Sequence, residues 1–118
     1  MYCINLESDD PFFNLAIEES LLKNSDEEYF ILGINKPCVI IGKHQSGHME
    51  SDTKFVNKNH IPVIRRISGG GTVFHDRGNL NFSFIRQSES GKQVAFRKYT
   101  QPVIDFLKHM GVEARFEG

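Results

Sequence analysis

Three consecutive glycines, Gly69-Gly70-Gly71, stand between two strand-like runs, and this interruption limits the fold more than any other feature of the sequence. Each glycine loses more backbone entropy on ordering than alanine would, about 0.5–1 kcal/mol. Ordering three in a row inside a sheet calls for a reason. One is a ligand lying directly against the main chain, with free N–H groups facing an anion. Arg65 and Arg66, just before the glycines, supply fixed positive charge and bidentate donors suited to phosphate or carboxylate. The plainer alternative is a flexible glycine turn beside a surface arginine pair. No Gly-Lys-Ser/Thr follows, so the segment is not a P-loop, and the glycine spacing does not fit a dinucleotide fold.

The pattern around this segment reads as α+β. Residues 2–6 alternate apolar and polar and predict a short strand. Asp10 and Pro11 mark the start of a helix, with Phe13, Ala16, Ile17, Ser20 and Leu21 at helical spacing on one face. Residues 29–34 and 38–41 predict two strands joined as a hairpin through Asn35-Lys36-Pro37. Ser51 or Asp52 caps a short helix running to Asn59, with Phe55 and Val56 turned inward. Residues 61–67 are strand-like. Residues 72–74 and 80–85 predict a second hairpin around Asp76-Arg77-Gly78-Asn79. In its return strand Leu80, Phe82 and Phe84 share one face, and Asn79, Asn81 and Ser83 the other. Thr100 and Pro102 predict the start of a helix whose stripe is Val103, Phe106, Leu107 and Met110, ended by Gly111. Residues 112–116 alternate again as a strand.

A length of 118 residues suits one small domain, and 39% hydrophobic content with ten Phe is enough for a packed core. The net charge of -1 gives no general attraction to nucleic acid or membranes, so an anion site has to be a local cluster. No apolar run approaches the ~20 residues of a membrane helix, and the first residues lack the regions of a secretory signal. Cys3 and Cys38 are far apart, with no Cys-x-x-Cys spacing, and both lie in apolar strand-like runs. Buried free thiols are expected at both. A cytoplasmic protein fits these features.

The run Arg65-Arg66-Ile67-Ser68-Gly69-Gly70-Gly71-Thr72-Val73-Phe74-His75-Asp76, continued through Arg77-Gly78-Asn79-Leu80-Asn81-Phe82-Ser83-Phe84, resembles the signature of the lipoate–protein ligase A family. Pro11-Phe12-Phe13-Asn14-Leu15-Ala16 with Glu18-Glu19 resembles the family's first helix. Val39-Ile40-Ile41-Gly42-Lys43-His44-Gln45 resembles its next motif. The resemblance implies an α+β fold shared with the biotin ligases: a mainly antiparallel or mixed sheet with flanking helices. Residues 1–118 would be its N-terminal portion, a single partial domain incomplete at the C-terminus. The resemblance also implies a two-step reaction. ATP and lipoate, with Mg2+, form lipoyl-AMP, and the lipoyl group passes to a lysine of a lipoyl carrier domain. Such carriers are the E2 subunits of 2-oxoacid dehydrogenases and the glycine cleavage H protein.

Carried over by position, Arg66 would contact the nucleotide, and Ser68, Gly69 and Gly70 would belong to the same ATP and lipoyl-AMP site. Gly71, Thr72, Val73 and Phe74 would line the adenylate with backbone donors, and His75 would sit near the acyl-phosphate end. Arginine and main-chain N–H groups can hold a phosphodiester charge without a nucleophile. A histidine beside Asp76 can equally tie a turn together. Asn79 and Asn81 are further candidates from the polar face of their strand. Lys43 and Gln45 match the family motif, either bordering the pocket or shaping a loop. His44, His48, His60 and His109 lack metal-ligand spacing and read as surface residues, so no metal ligand is assigned.

Two departures bear on function. Gly33 stands where many family members place Trp or Tyr against the lipoyl tail. The family's lysine for the lipoyl carbonyl and phosphate comes in a Lys-x-Ser-Gly-type motif that would lie beyond Gly118; Lys92, Lys98 and Lys108 read as solvated. No catalytic residue is therefore assigned within the chain. The isolated chain is expected to be inactive, and the strand at 112–116 to self-associate through an uncovered edge. Two other functions stay open. One is an octanoyltransferase of the same fold, whose acyl-carrying cysteine would also lie downstream. The other is a non-catalytic ligand-binding or partner-binding module that kept the glycine loop.

Overall fold

The computed structural model describes residues 1–87 and 96–117; Lys92 lies outside them. The chain divides into two compact units, Met1–Gln87 and Ser88–Gly118.

The first unit uses one connection twice. β1 (Tyr2–Asn5) and β2 (Tyr29–Gly33) pair in parallel, Tyr2 opposite Tyr29 and Asn5 opposite Leu32. A parallel pair needs a crossover, which α1 (Pro11–Asn24) supplies. β3 (Cys38–Ile41) and β4 (Val63–Arg65) repeat the arrangement, with α2 (Gly47–Glu50) and α3 (Thr53–Lys58) between them. An antiparallel strand then joins each pair. β5 (Val73–His75) runs beside β3 and β6 (Asn81–Ile85) beside β2. The result is two mixed three-stranded sheets, ordered β1-β2-β6 and β4-β3-β5.

Neither hairpin expected from the sequence forms. β2 and β3 lie in different sheets, and so do β5 and β6. Alternation marks a segment as a strand but does not name its partner. Residues 34–37 carry the chain from the first sheet to the second, and residues 76–80 carry it back. Asp76 still makes its turn, its side chain accepting from the Gly78 amide at 2.8 Å and its carbonyl from the Asn79 amide at 3.1 Å.

Helix starts follow local chemistry. Asp10 caps α1 by accepting from the Phe12 and Phe13 amides, and Pro11 opens the helix with no N–H to lose. Asp52 caps α3 through the Phe55 amide at 3.1 Å. Helix faces do not follow so simply. α1 turns Pro11, Asn14, Glu18 and Leu21 inward, whereas Phe13, Ala16 and Ser20, expected on the buried face, are exposed. The helix presents polar groups to a cavity rather than an apolar stripe to a core. In α3, Val56 is buried but Phe55 is 57% exposed. The core is small: Ile31, Cys38, Ile40, Ile41, Val56 and Ile85. Cys3 is exposed because β1 is the outer strand of its sheet, correcting the expected burial.

In the second unit α4 spans Phe96–His109 and contains Pro102. The helix thus begins before the expected Thr100 cap and continues through the proline at the loss of one intrahelical bond. Its end is as the sequence predicts. Gly111 has φ +81°, its amide reaches the Lys108 carbonyl at 3.0 Å, and the Val112 amide reaches Leu107 at 2.9 Å. The strand expected at 112–116 does not form, since no ladder partner exists for it among the described residues. Instead Arg97 lies over the Phe116 ring, 5.5 Å from its centroid. Among the described residues no helix is long and apolar enough to cross a membrane.

Candidate functional site

Both sheets of the first unit and α1 contribute to one cavity of about 360 Å³. Strand alternation decides which side chains reach it. In β2 and β6, Ile31 pairs with Ser83 and Gly33 with Asn81, and all four line the space. In β5, Val73 and His75 line it while Phe74, between them, is 50% exposed. α1 adds Asn14, Leu15 and Glu18, the sheet crossover adds Asn35, and the glycine segment adds Arg66 and Ser68. Apolar walls come from Leu6, Leu15, Ile31, Ile40, Leu80 and Phe82. Gly33 leaves room that Leu6 partly takes: a Cβ there would meet Leu6 Cδ1 at 3.2 Å.

Arg66 organises the glycine segment. Its Nε and Nη2 donate to the Gly69 carbonyl at 3.2 and 2.8 Å, and Nη2 also reaches the Gly71 carbonyl at 2.7 Å. Nη1 reaches back to the Ile40 carbonyl at 3.4 Å. With the carbonyls turned to the guanidinium, the amides of Gly69, Gly70 and Gly71 donate to nothing among the described residues. Gly70 has φ +97°, and a Cβ on it would meet Arg66 Nη2 at 2.9 Å. Arg65 serves the neighbouring loop instead, its Nη1 donating to the carbonyls of Gly42, Lys43 and Gln45. Gln45 Oε1 in turn accepts from the Gly42 amide and from Thr72 Oγ1, both at 2.8 Å. Lys43 donates its amide to the Ser68 carbonyl at 3.0 Å. Lys43 and Gln45 therefore brace the glycine segment and do not line the cavity.

A hydrogen-bonded chain runs across the cavity wall. Asn14 Nδ2 donates to the carbonyls of Ser8 at 2.9 Å and Ile34 at 3.4 Å, and to Asn35 Oδ1 at 2.9 Å. Asn35 Nδ2 meets His75 Nδ1 at 3.1 Å. Burial holds the His75 imidazolium pKa below its ordinary value, and the nearby Arg66 charge lowers it further. Burial raises Glu18 above the ordinary carboxyl range, partly offset by the hydrogen bond from Ser83 Oγ at 2.8 Å. Asn14 Oδ1 and Asn81 Nδ2 are buried with no hydrogen-bond partner, an unmet acceptor and an unmet donor on residues that line the cavity. Buried polar atoms rarely stay unpaired, and such atoms in a cleft are what a polar ligand or water would satisfy.

Of the residues singled out in the sequence, the cavity brings together Arg66, Ser68, Val73, His75 and Asn81. Gly69, Gly70 and Gly71 are exposed beside it, and Thr72 is bonded to Gln45. Phe74 points away, and Asn79 spends its side-chain amide on the Phe74 carbonyl at 3.0 Å. β5 is the outer strand of its sheet, so β3 uses only alternate amides along it. His44, His48, His60 and His109 are exposed, as expected. Sequence reasoning missed Asn14, Glu18, Asn35 and Ser83 as lining groups. The signal available was two polar residues, Asn14 and Glu18, four apart on a helix otherwise rich in apolar residues. Among the described residues no three His, Cys, Asp or Glu side chains converge as a metal site.

The model of the lipoyl protein ligase A/B catalytic domain matches residues 10–118. The chain is 47% identical over 120 residues to the lipoate-protein ligase LplJ of Bacillus subtilis strain 168, covering 100% of this chain and 36% of that protein. A crystal structure of lipoate-protein ligase A bound with ATP superimposes with a TM-score of 0.90 at 31% identity, over 99% of this chain and 49% of that one. A bipartite lipoate protein ligase of Thermoplasma acidophilum, studied with its E2 lipoyl domain, gives 0.89 at 31% identity, over 98% and 48%. The chain thus spans about a third of that curated relative and about half of those solved chains.

Proposed function

This chain belongs to the lipoyl protein ligase A/B catalytic-domain family, and from that premise we propose that it supplies the acyl-adenylate half of a lipoate–protein ligase. The observation that carries the reading is the mixed lining of the cavity. Leu6, Leu15, Ile31, Ile40, Leu80 and Phe82 are apolar, while Arg66 adds a fixed positive charge and Ser68, His75, Asn14, Asn35, Asn81, Ser83 and Glu18 add polar groups. An acyl tail joined to a phosphate has this polarity. The relatives agree: one carries ATP and another was studied with its E2 lipoyl domain.

The proposed reaction has two displacements. The lipoate carboxylate attacks the α-phosphorus of ATP and pyrophosphate leaves. The amine of a carrier-domain lysine then attacks the acyl carbonyl and AMP leaves. Arg66 stabilises the phosphodiester charge, exchanging its bonds to the Gly69 and Gly71 carbonyls for phosphate oxygens. The unpaired amides of Gly69–Gly71 serve the same charge. His75 holds the acyl-phosphate end. For Mg2+, which the family resemblance implies, no set of three His, Cys, Asp or Glu side chains converges among the described residues. The carriers are lipoyl domains of E2 type and, by resemblance, the glycine cleavage H protein. The compartment is proposed to be the cytoplasm.

The transferase alternative needs a nucleophilic thiol. Cys38 does not suit it, being fully buried with its pKa pushed up to about 11 by burial. Lipoate-dependent exchange of labelled pyrophosphate into ATP by the intact protein is the expected result. Acyl transfer from an acylated carrier without ATP, and no exchange, would replace the ligase reading with the transferase.

A further inference from the structure

We infer that Asn35, held by Asn14, is a positioning residue that fixes His75 as a neutral imidazole carrying its proton on Nε2. The inference rests on the ligase reading only for what Nε2–H then contacts. The tautomer follows from the hydrogen-bond directions alone.

The chain of donors has one possible polarity. Asn14 faces two main-chain carbonyls, Ser8 at 2.9 Å and Ile34 at 3.4 Å. Carbonyl oxygens accept only, so the atom facing them has to be the amide nitrogen, Nδ2. That same nitrogen lies 2.9 Å from Asn35, whose facing atom must then be Oδ1. Turning Asn35 over would set two amide nitrogens against each other. Asn35 therefore presents Nδ2 to His75 Nδ1, 3.1 Å away. An amide nitrogen donates, so Nδ1 accepts and carries no proton. The remaining ring nitrogen, Nε2, has no partner among the described residues and bears the hydrogen. Backbone carbonyls fixed by the fold thus dictate the protonation of a side chain much further along the sequence.

The surroundings support a neutral ring. Asn14 and Asn35 are buried, 4% and 5% exposed, so water does not compete for these bonds. The charged groups lining the cavity with His75 are Arg66, which opposes a second positive charge, and Glu18, whose carboxyl is bonded to Ser83. The burial of His75 works in the same direction as Arg66. A neutral imidazole with Nε2–H suits a site where an oxygen atom gains charge. It donates a hydrogen bond to that oxygen through Nε2. In the ligase reading that oxygen belongs to the acyl-phosphate group. A histidine whose Nδ1 carried the hydrogen would present a bare acceptor there and repel it.

The test has one arm that needs no catalysis. In long-range ¹⁵N–¹H correlation spectra of the intact, labelled protein at neutral pH, His75 should show an unprotonated Nδ1 and a protonated Nε2. A protonated Nδ1 overturns the inference whatever the protein catalyses. The second arm is Asn35→Asp, which keeps the bond from Asn14 but turns an acceptor towards Nδ1. The Nδ1–H form should then appear and the imidazolium pKa should rise. Lipoate-dependent pyrophosphate exchange should fall at neutral pH by about tenfold or more, mainly in kcat. Activity should recover as the pH falls through the raised pKa, because the imidazolium regains Nε2–H. A merely structural role would lower activity equally at every pH, and that flat profile would refute the assignment. If the variant does not fold, the wild-type spectrum still decides. A wild-type protein with the stated tautomer but no pyrophosphate exchange would sink the ligase reading and leave the tautomer standing.

Discussion

Gly42→Ala should destabilise the protein more than Gly69→Ala or Gly71→Ala, although Gly42 stands well before the glycine run. A Cβ at position 42 would lie 2.1 Å from the Gly70 carbonyl oxygen and 3.2 Å from Gln45 Oε1. Non-bonded heavy atoms attract best at about 3.5–4.0 Å, so that carbonyl would have to retreat by ~1 Å or more. Retreat is resisted on every side. The Ser68 carbonyl accepts from Lys43, and the carbonyls of Gly69 and Gly71 are held by Arg66 at 2.8 and 2.7 Å. Gly42 itself has no positive φ, so the clash is the whole effect. Overpacking of this kind costs about 1–3 kcal/mol. Urea denaturation should show that loss, and calorimetric titration with ATP should show weaker binding of the intact protein. Gly69→Ala and Gly71→Ala are the controls, since nothing lies within 4 Å of either added Cβ. Both should stay within about 0.5 kcal/mol of the parent in stability, while losing nucleotide affinity if a ligand lies against them. A Gly42→Ala protein as stable as Gly71→Ala would refute the reasoning.

Three further outcomes follow from named contacts. Arg66→Ala should weaken nucleotide binding by about 1.5–3 kcal/mol, measured by titration, because one charge-assisted fork is lost from the phosphate; unchanged affinity would remove Arg66 from the site. Asn14→Leu would leave the Ser8 carbonyl and Asn35 Oδ1 unpaired in a buried place. A loss of about 1–3 kcal/mol is expected in thermal denaturation, and a neutral result would mean that water replaces the amide. For the thiols, Cys3 should react quickly with a disulfide reagent in the native protein while Cys38 reacts only on unfolding. The Cys38 thiol has its pKa raised from 9.0 to about 11, so its contribution to stability is complete below pH 9 and disappears as the pH rises through 11. Stability that does not decline across that interval would contradict its burial.

The sequence by itself determined what depends on neighbours along the chain. Asp10 with Pro11 and Asp52 placed two helix starts, and Gly111 placed a helix end, because capping bonds reach only two to four residues. Alternation marked β1 and β6, apolar runs marked β2 and β3, and the Arg65–Asp76 run pointed to the family. Tertiary structure decided everything that depends on distant partners. It pairs Tyr2 with Tyr29 and Tyr29 with Ile85, so both expected hairpins dissolve into two separate sheets. It rotates α1 so that Asn14 and Glu18, not Phe13 and Ala16, face inward, because that helix borders a cavity and not a core. It leaves Cys3 on an outer strand, and it lets α4 run through Pro102. The Asn14–Asn35–His75 chain joins residues 21 and 40 positions apart. No local pattern encodes it, since each of its bonds exists only once a sheet crossover has brought Asn35 against both a helix and a strand.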